Sequence, residues 1–108
     1  MRTLLMLAGL ALMTLAPAAA RAQDYVLTIK DHKFTPEEIK VPANQRVVIT
    51  IINNDDAAEE FDSTALKVEK VVAGHSRGTV RIGPLPPGRY PFIGEFHEAT
   101  AKGVVIAE

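Results

Sequence analysis

The sequence predicts an all-β fold, an antiparallel sandwich or barrel. Three observations point there. From Tyr25 onward the apolar residues fall in short runs, either rich in β-branched side chains or alternating with polar ones, which is the period of strands and not of helices. Pro, Gly, Asn and Asp separate these runs, at places where a turn needs a preset or positive φ. Several short strands punctuated by such turns describe a small sandwich or barrel.

Taken in order, Tyr25 to Ile29 (YVLTI) is the first β-rich run, and Glu38 to Val41 (EIKV) alternates polar and apolar residues. Arg46 to Asn53 (RVVITIIN) is dominated by Val and Ile and reads as a buried strand. Gly78 to Ile82 (GTVRI) alternates again; Tyr90 to Ile93 and Gly103 to Ala107 (GVVIA) complete the set. VPAN at 41–44, NNDD at 53–56 and GPLPPG at 83–88 are turns. Asp55 to Val72 fits either a strand pair or a short helical turn. There is no internal repeat, and the length suits one domain over residues 23–108.

Residues 1–22 read as a signal peptide. Arg2 supplies a positive start, Leu4 to Leu15 is apolar apart from Gly9 and Thr14, and Ala20-Arg21-Ala22 is a small-x-small cleavage signal. The apolar run is too short to span a bilayer as a stable helix. Cleavage after Ala22 is expected to leave a soluble periplasmic protein. All three methionines (Met1, Met6, Met13) lie in the leader and the sequence has no cysteine, so the mature chain is expected to carry no sulfur. Disulfides, thiolate chemistry and an N-terminal lipid on Cys are thereby excluded. Loss of Arg2 and Arg21 takes Lys+Arg from 12 to 10 against 13 Asp+Glu, a net charge of −3. That balance gives no basis for nucleic-acid binding and is compatible with cations.

Chemistry-bearing residues cluster in DDAAEEFD (55–62) and EFHE (95–98), two loops that one end of a sandwich can bring together. With Phe61 in the core, strand alternation turns Glu59 and Ser63 the same way and Glu60 and Asp62 the other. A carboxylate at the mouth of a core is costly unless paired or bound to a metal. His97 is flanked by Glu95, Glu98 and aromatic Phe96, whereas His32 and His75 read as surface bystanders. No G-x-S-x-G, H-E-x-x-H or phosphate-cradling Gly-rich motif is present, so nothing marks a hydrolase or transferase.

Phe34-Thr35-Pro36, Glu38 to Pro42, Val47 to Asn54, Pro87 to Tyr90 and Gly94 to Gly103 together resemble a cupredoxin-like domain. The resemblance covers nearly all of residues 23–108 and implies a Greek-key β-sandwich. Members of that family bind copper through His, Cys, a second His and usually Met. Matched residue by residue, the first His falls at Glu59, the Cys at Gly94, the second His at His97 and the Met at Thr100 or Ala101. Blue copper needs the thiolate, so that centre is not carried over. The strings EEFDS, EKV, IGPLPPGRY and GEFHEATAKG are similar to the sub-family represented by the cupredoxin domain of EfeO and by FtrB. That likeness implies iron or copper binding and a part in iron uptake, with ferrous iron oxidised for an iron permease as the partner.

On this reading Glu59, Glu60, Asp62, Glu69, Glu95 and His97 are the pool of metal ligands. Carboxylates with one imidazole suit iron, and also Cu(II) in an N,O geometry. Glu69 enters through the EKV string, and a surface ion pair with Lys67 or Lys70 explains it as well. Two other readings stand beside this one: a metal-free sandwich that serves as a protein-interaction module, and a periplasmic copper-binding chaperone.

Overall fold

The computed structural model describes residues 23–108; the expected signal peptide lies outside them. Nine strands form two packed sheets: β1 (Gln23–Lys30), β2 (Lys33–Thr35), β3 (Glu38–Val41), β4 (Val47–Asn53), β5 (Glu59–Ser63), β6 (Val68–Val72), β7 (Ser76–Ile82), β8 (Gly88–Gly94) and β9 (Lys102–Ala107). A 3-10 turn, Glu95–His97, follows β8. The first sheet runs β2-β1-β4-β7 and the second β3-β9-β8-β5-β6.

The all-β sandwich is as expected, but the sheets are mixed and not purely antiparallel. β1 pairs parallel with β4 from Gln23↔Val47 to Ile29↔Asn53, and β3 pairs parallel with β9 from Glu38↔Val104 to Val41↔Ala107. The cause is topological. After β2 the chain leaves the first sheet to make β3 in the second, then returns for β4, so neighbours within a sheet are not neighbours in sequence. The ambiguous stretch 55–72 is a strand pair, β5 against β6, registered from Glu59↔Val72 to Ser63↔Val68. The three-residue β2, which had no sequence signal beyond Phe34, pairs with β1.

Alternation fixes what each strand buries. In β4, Val47, Ile49, Ile51 and Asn53 face inward; in β5, Glu59, Phe61 and Ser63 do. Phe34, Phe61 and Phe92 form an aromatic centre, with Phe34 edge-on to Phe92 at 5.1 Å and Phe61 tilted against Phe92 at 4.9 Å between centroids. Such pairs add about 0.5–1.5 kcal/mol beyond the area they bury. Leu27, Ile29, Ile49, Ile51 and Val105 fill the layer between the sheets. At one end of this layer the inward positions turn polar: Asn53 closes β4 and Glu59 opens β5, and both are fully buried.

Candidate functional site

The end of the sandwich where β1, β4 and β8 finish and β5 begins carries the polar side chains. Asn53 organises it. Its buried Nδ2 donates to the carbonyls of Ala57 (2.9 Å) and Val72 (3.1 Å), and its Oδ1 accepts from the Asp55 N–H at 3.0 Å. The Asp55 carboxylate then accepts the backbone N–H of Asp31 at 2.8 Å and of His32 at 2.9 Å. Those two residues hold left-handed φ angles of 51° and 57°, a conformation uncommon outside glycine. The backbone N–H of His32 holds the Asp55 carboxyl below its usual range, with burial opposing and the Asp31 N–H and nearby positive charge assisting.

The second loop meets the first at Glu59. Its Oε1 accepts the N–H of Phe96 at 3.0 Å and of its neighbour Glu60 at 3.2 Å. Its Oε2 lies 2.5 Å from His97 Nδ1. We assign Nδ1–H of His97 as the donor to Oε2, the tautomer that lets the carboxylate accept all three hydrogen bonds. The buried charge is thus fully partnered, which meets the condition under which a carboxylate can stand at the mouth of a core. Nδ1 being taken, His97 keeps Nε2 with a free lone pair. The ring, 23% exposed as a side chain, stacks on His32 with centroids 3.6 Å apart and planes within 12°.

The six candidate ligands therefore divide. Glu59 and His97 form the buried pair. Glu60 and Asp62 point to the outer face of the second sheet, as the period of two requires. Asp62 stands opposite Glu69 across the β5–β6 pair, and Glu95 follows β8 beside them. Partial burial raises the Glu60 carboxyl above its ordinary value, followed by the charge of Glu95, a hydrogen bond to Glu95, and the charges of Glu69 and Asp62. Among the described residues no three His, Cys, Asp or Glu side chains already stand together as a metal-binding group.

Two residues read as bystanders in the sequence belong to this end. His32 stacks on His97, and His75 Nε2 lies 2.5 Å from the Asp56 carboxylate. Both border a depression of about 500 Å³ lined by Lys30, Asp31, His32, Asn54, Asp55, Asp56, Ala57 and His75. The signal for His32 was indirect: a buried Asn two residues before Asp55, whose carboxylate then captures the His32 turn.

The model of the cupredoxin-like domain matches residues 3–107. The chain belongs to the cupredoxin-like domain family. An uncharacterized protein of Rickettsia prowazekii (strain Madrid E) is 44% identical over 80 residues, 74% of this chain and 64% of that protein, so the chain spans under two thirds of that relative's length. Among solved structures, the cupredoxin-like domain is similar to auracyanin A, a blue copper protein of Chloroflexus aurantiacus, with a TM-score of 0.69 and 15% identity over 82% of this chain and all of that one. It is also similar to a chain of a heme-copper terminal oxidase dimer, with a TM-score of 0.66 and 20% identity over 80% of this chain and 65% of that one. At these identities the likeness concerns the fold.

Glu59, Gly94, His97 and Ala101, which the resemblance matches to copper-ligand positions, lie together in this cupredoxin-like domain. Of the two residues that the resemblance matches to the Met position, Ala101 is fully buried and Thr100 is exposed. A Cβ placed on Gly94 would lie 2.6 Å from the Ala101 Cβ, 2.6 Å from the Glu59 Cδ and 2.8 Å from its Oε1. The Glu59 carboxylate thus fills the space that a side chain at the Cys position would need. The sequence has no cysteine, no methionine lies among the described residues, and Nδ1 of the retained His is bonded to Glu59. This donor set does not fit a blue copper centre.

Proposed function

We propose that this cupredoxin-like domain is an exported metal-binding protein of iron uptake, with iron as its cargo held on carboxylates and not at the family's copper position. The observation that carries the reading is the outer-face group Glu60, Asp62, Glu69 and Glu95, in which the Glu60 carboxyl is raised by partial burial and then by the charges of Glu95, Glu69 and Asp62. A cation relieves that repulsion, and hard oxygen donors suit iron and favour its ferric state. The outer-face side chains are exposed or half-buried, so they can rotate onto an ion. The similarity of EEFDS, EKV and GEFHEATAKG to the EfeO and FtrB type supports the same reading, and with it delivery to an iron permease.

The test is titration of the protein with Fe(II) under anaerobic conditions and with chelated Fe(III). Glu60→Gln/Glu95→Gln is expected to weaken iron binding by tenfold or more; unchanged binding would overturn the reading. A second reading, a metal-free module that binds a protein partner, is favoured by the filling of the copper position with the Glu59 carboxylate. It takes over if the wild type binds no iron.

A further inference from the structure

We infer that the outer face of the first sheet is a docking surface for a membrane of anionic phospholipid.

Three observations assemble it. First, charge is segregated onto this face. Strand parity and register turn Lys30, Lys33, Arg77 and Arg81 outward on β1, β2 and β7, against one acid, Asp24. All four cations are exposed. Acids outnumber bases over residues 23–108, so a basic face is not the by-product of a basic chain.

Second, the charges have no partner within the fold. Among the described residues, none of the four cations forms an ion pair. Lys30 lends its field to Asp55 at the sandwich end and does no more. Lys30 and Lys33 stand directly opposite across the β1–β2 pair. Like charges in that position cost stability, and an external anion relieves the repulsion.

Third, the layout suits a plane of anions. Lys30 and Lys33 share one corner, and Arg77 and Arg81 lie two strands away from β1 on β7. Asp24 is level with Arg81 through Val48. From that level to Lys30 is about 20 Å along the strands, and from β2 to β7 about 14 Å across them. A single phosphate or carboxylate reaches one corner of such a patch; a surface of phosphates reaches every corner. Between the cations, Val26 is 53% exposed, and Thr50 stands beside Thr79 as Thr28 does beside Thr35. Hydroxyls can donate to phosphate, Val26 meets the apolar boundary, and long Lys and Arg side chains bend their heads to the charged layer. With this face on the membrane, Glu60, Asp62 and Glu69 on the other sheet stay turned toward solution.

The test is co-sedimentation of the exported protein at low salt with two kinds of vesicle. One is an equal mixture of phosphatidylglycerol and phosphatidylcholine, the other phosphatidylcholine alone. The ratio of the two affinities cancels any apolar contribution common to both. Wild type is expected to prefer the anionic vesicles by about tenfold or more, and to lose the preference as salt shortens the Debye length. Each basic side chain near such a surface is worth about fivefold. Arg77→Gln/Arg81→Gln and Lys30→Gln/Lys33→Gln should therefore each abolish the preference. Lys40→Gln/Lys102→Gln removes the same charge from the outer face of the other sheet and is expected to keep it. A wild-type ratio near one, or equal losses on and off the face, would overturn the proposal. So would tighter binding to soluble polyglutamate than to the vesicles, lost in the same on-face variants, which assigns the face to an acidic protein. Iron binding is expected to be unchanged in Arg77→Gln/Arg81→Gln, so failure of the docking leaves the iron reading standing.

Discussion

Replacing Glu59 by Gln changes one buried atom and should move a proton on another residue. The carboxylate accepts three hydrogen bonds, from Phe96 N–H, Glu60 N–H and His97 Nδ1–H. An amide has one carbonyl oxygen and one NH2 group. Its oxygen can stay on the two backbone donors, which turns the NH2 toward His97. Two donors cannot face each other, so the His97 proton should shift from Nδ1 to Nε2 and leave Nδ1 as acceptor. The exchange loses one charge-assisted hydrogen bond, worth about 1.5–3 kcal/mol, and regains a neutral one of about 0.5–1.5 kcal/mol. The net loss is about 1–2 kcal/mol. For a domain of this size each kcal/mol corresponds to roughly 4–8 °C in Tm, so Glu59→Gln should melt on the order of 4–16 °C lower. Thermal unfolding reads the stability, and nitrogen-15 chemical shifts of the imidazole rings read the tautomer. If the His97 ring keeps its proton on Nδ1 and the Tm is unchanged, Glu59 does not set the state of His97.

Three further substitutions follow from the same end of the molecule. Gly94→Ala forces a methyl against Ala101 and Glu59 and should destabilise by about 1–3 kcal/mol; adding Ala101→Gly should recover part of the loss in a double-mutant cycle followed by denaturant unfolding. Asp55→Ala removes the cap on the His32 turn, and the penalty should depend on pH. The Asp55 carboxyl is lowered from 3.8, so its stabilisation is complete above that value and lost as pH falls through the lower folded-state value. The wild-type advantage in Tm should therefore be full at neutral pH and vanish in strong acid. Glu60→Gln should do the reverse. The Glu60 carboxyl is raised from 4.5, so the wild type loses stability as pH rises through the folded-state value; the variant should melt higher at neutral pH and no higher near pH 4.

The strands were readable where a run had composition or period of its own. Val47 to Asn53 is almost entirely β-branched, and its inward parity is the one the structure shows. The parity of β5 could be read because Phe61 anchors it, which put Glu59 inside and Glu60 and Asp62 outside before any coordinates. β2 was not legible, since only Phe34 in three residues is apolar. The parallel pairings were not legible either, because they join residues far apart in sequence and leave no local mark. All the candidate ligands but Glu69 come from two short acidic clusters, and the alternation that separates Glu59 from Glu60 also separates a buried pair from an outer face. His32 was hidden for a different reason: its placement depends on a carboxylate 23 residues away, a contact that only folding creates.

The contact between Gly94, Ala101 and Glu59 bears on history. A thiolate copper centre cannot be built on this chain in one step. Cysteine at position 94 would collide with the carboxylate that now occupies its place, and removing that carboxylate first strands the donors of Phe96, Glu60 and His97. Each single change costs packing or hydrogen bonds before a thiolate site is complete, so positions 59 and 94 would have to change together.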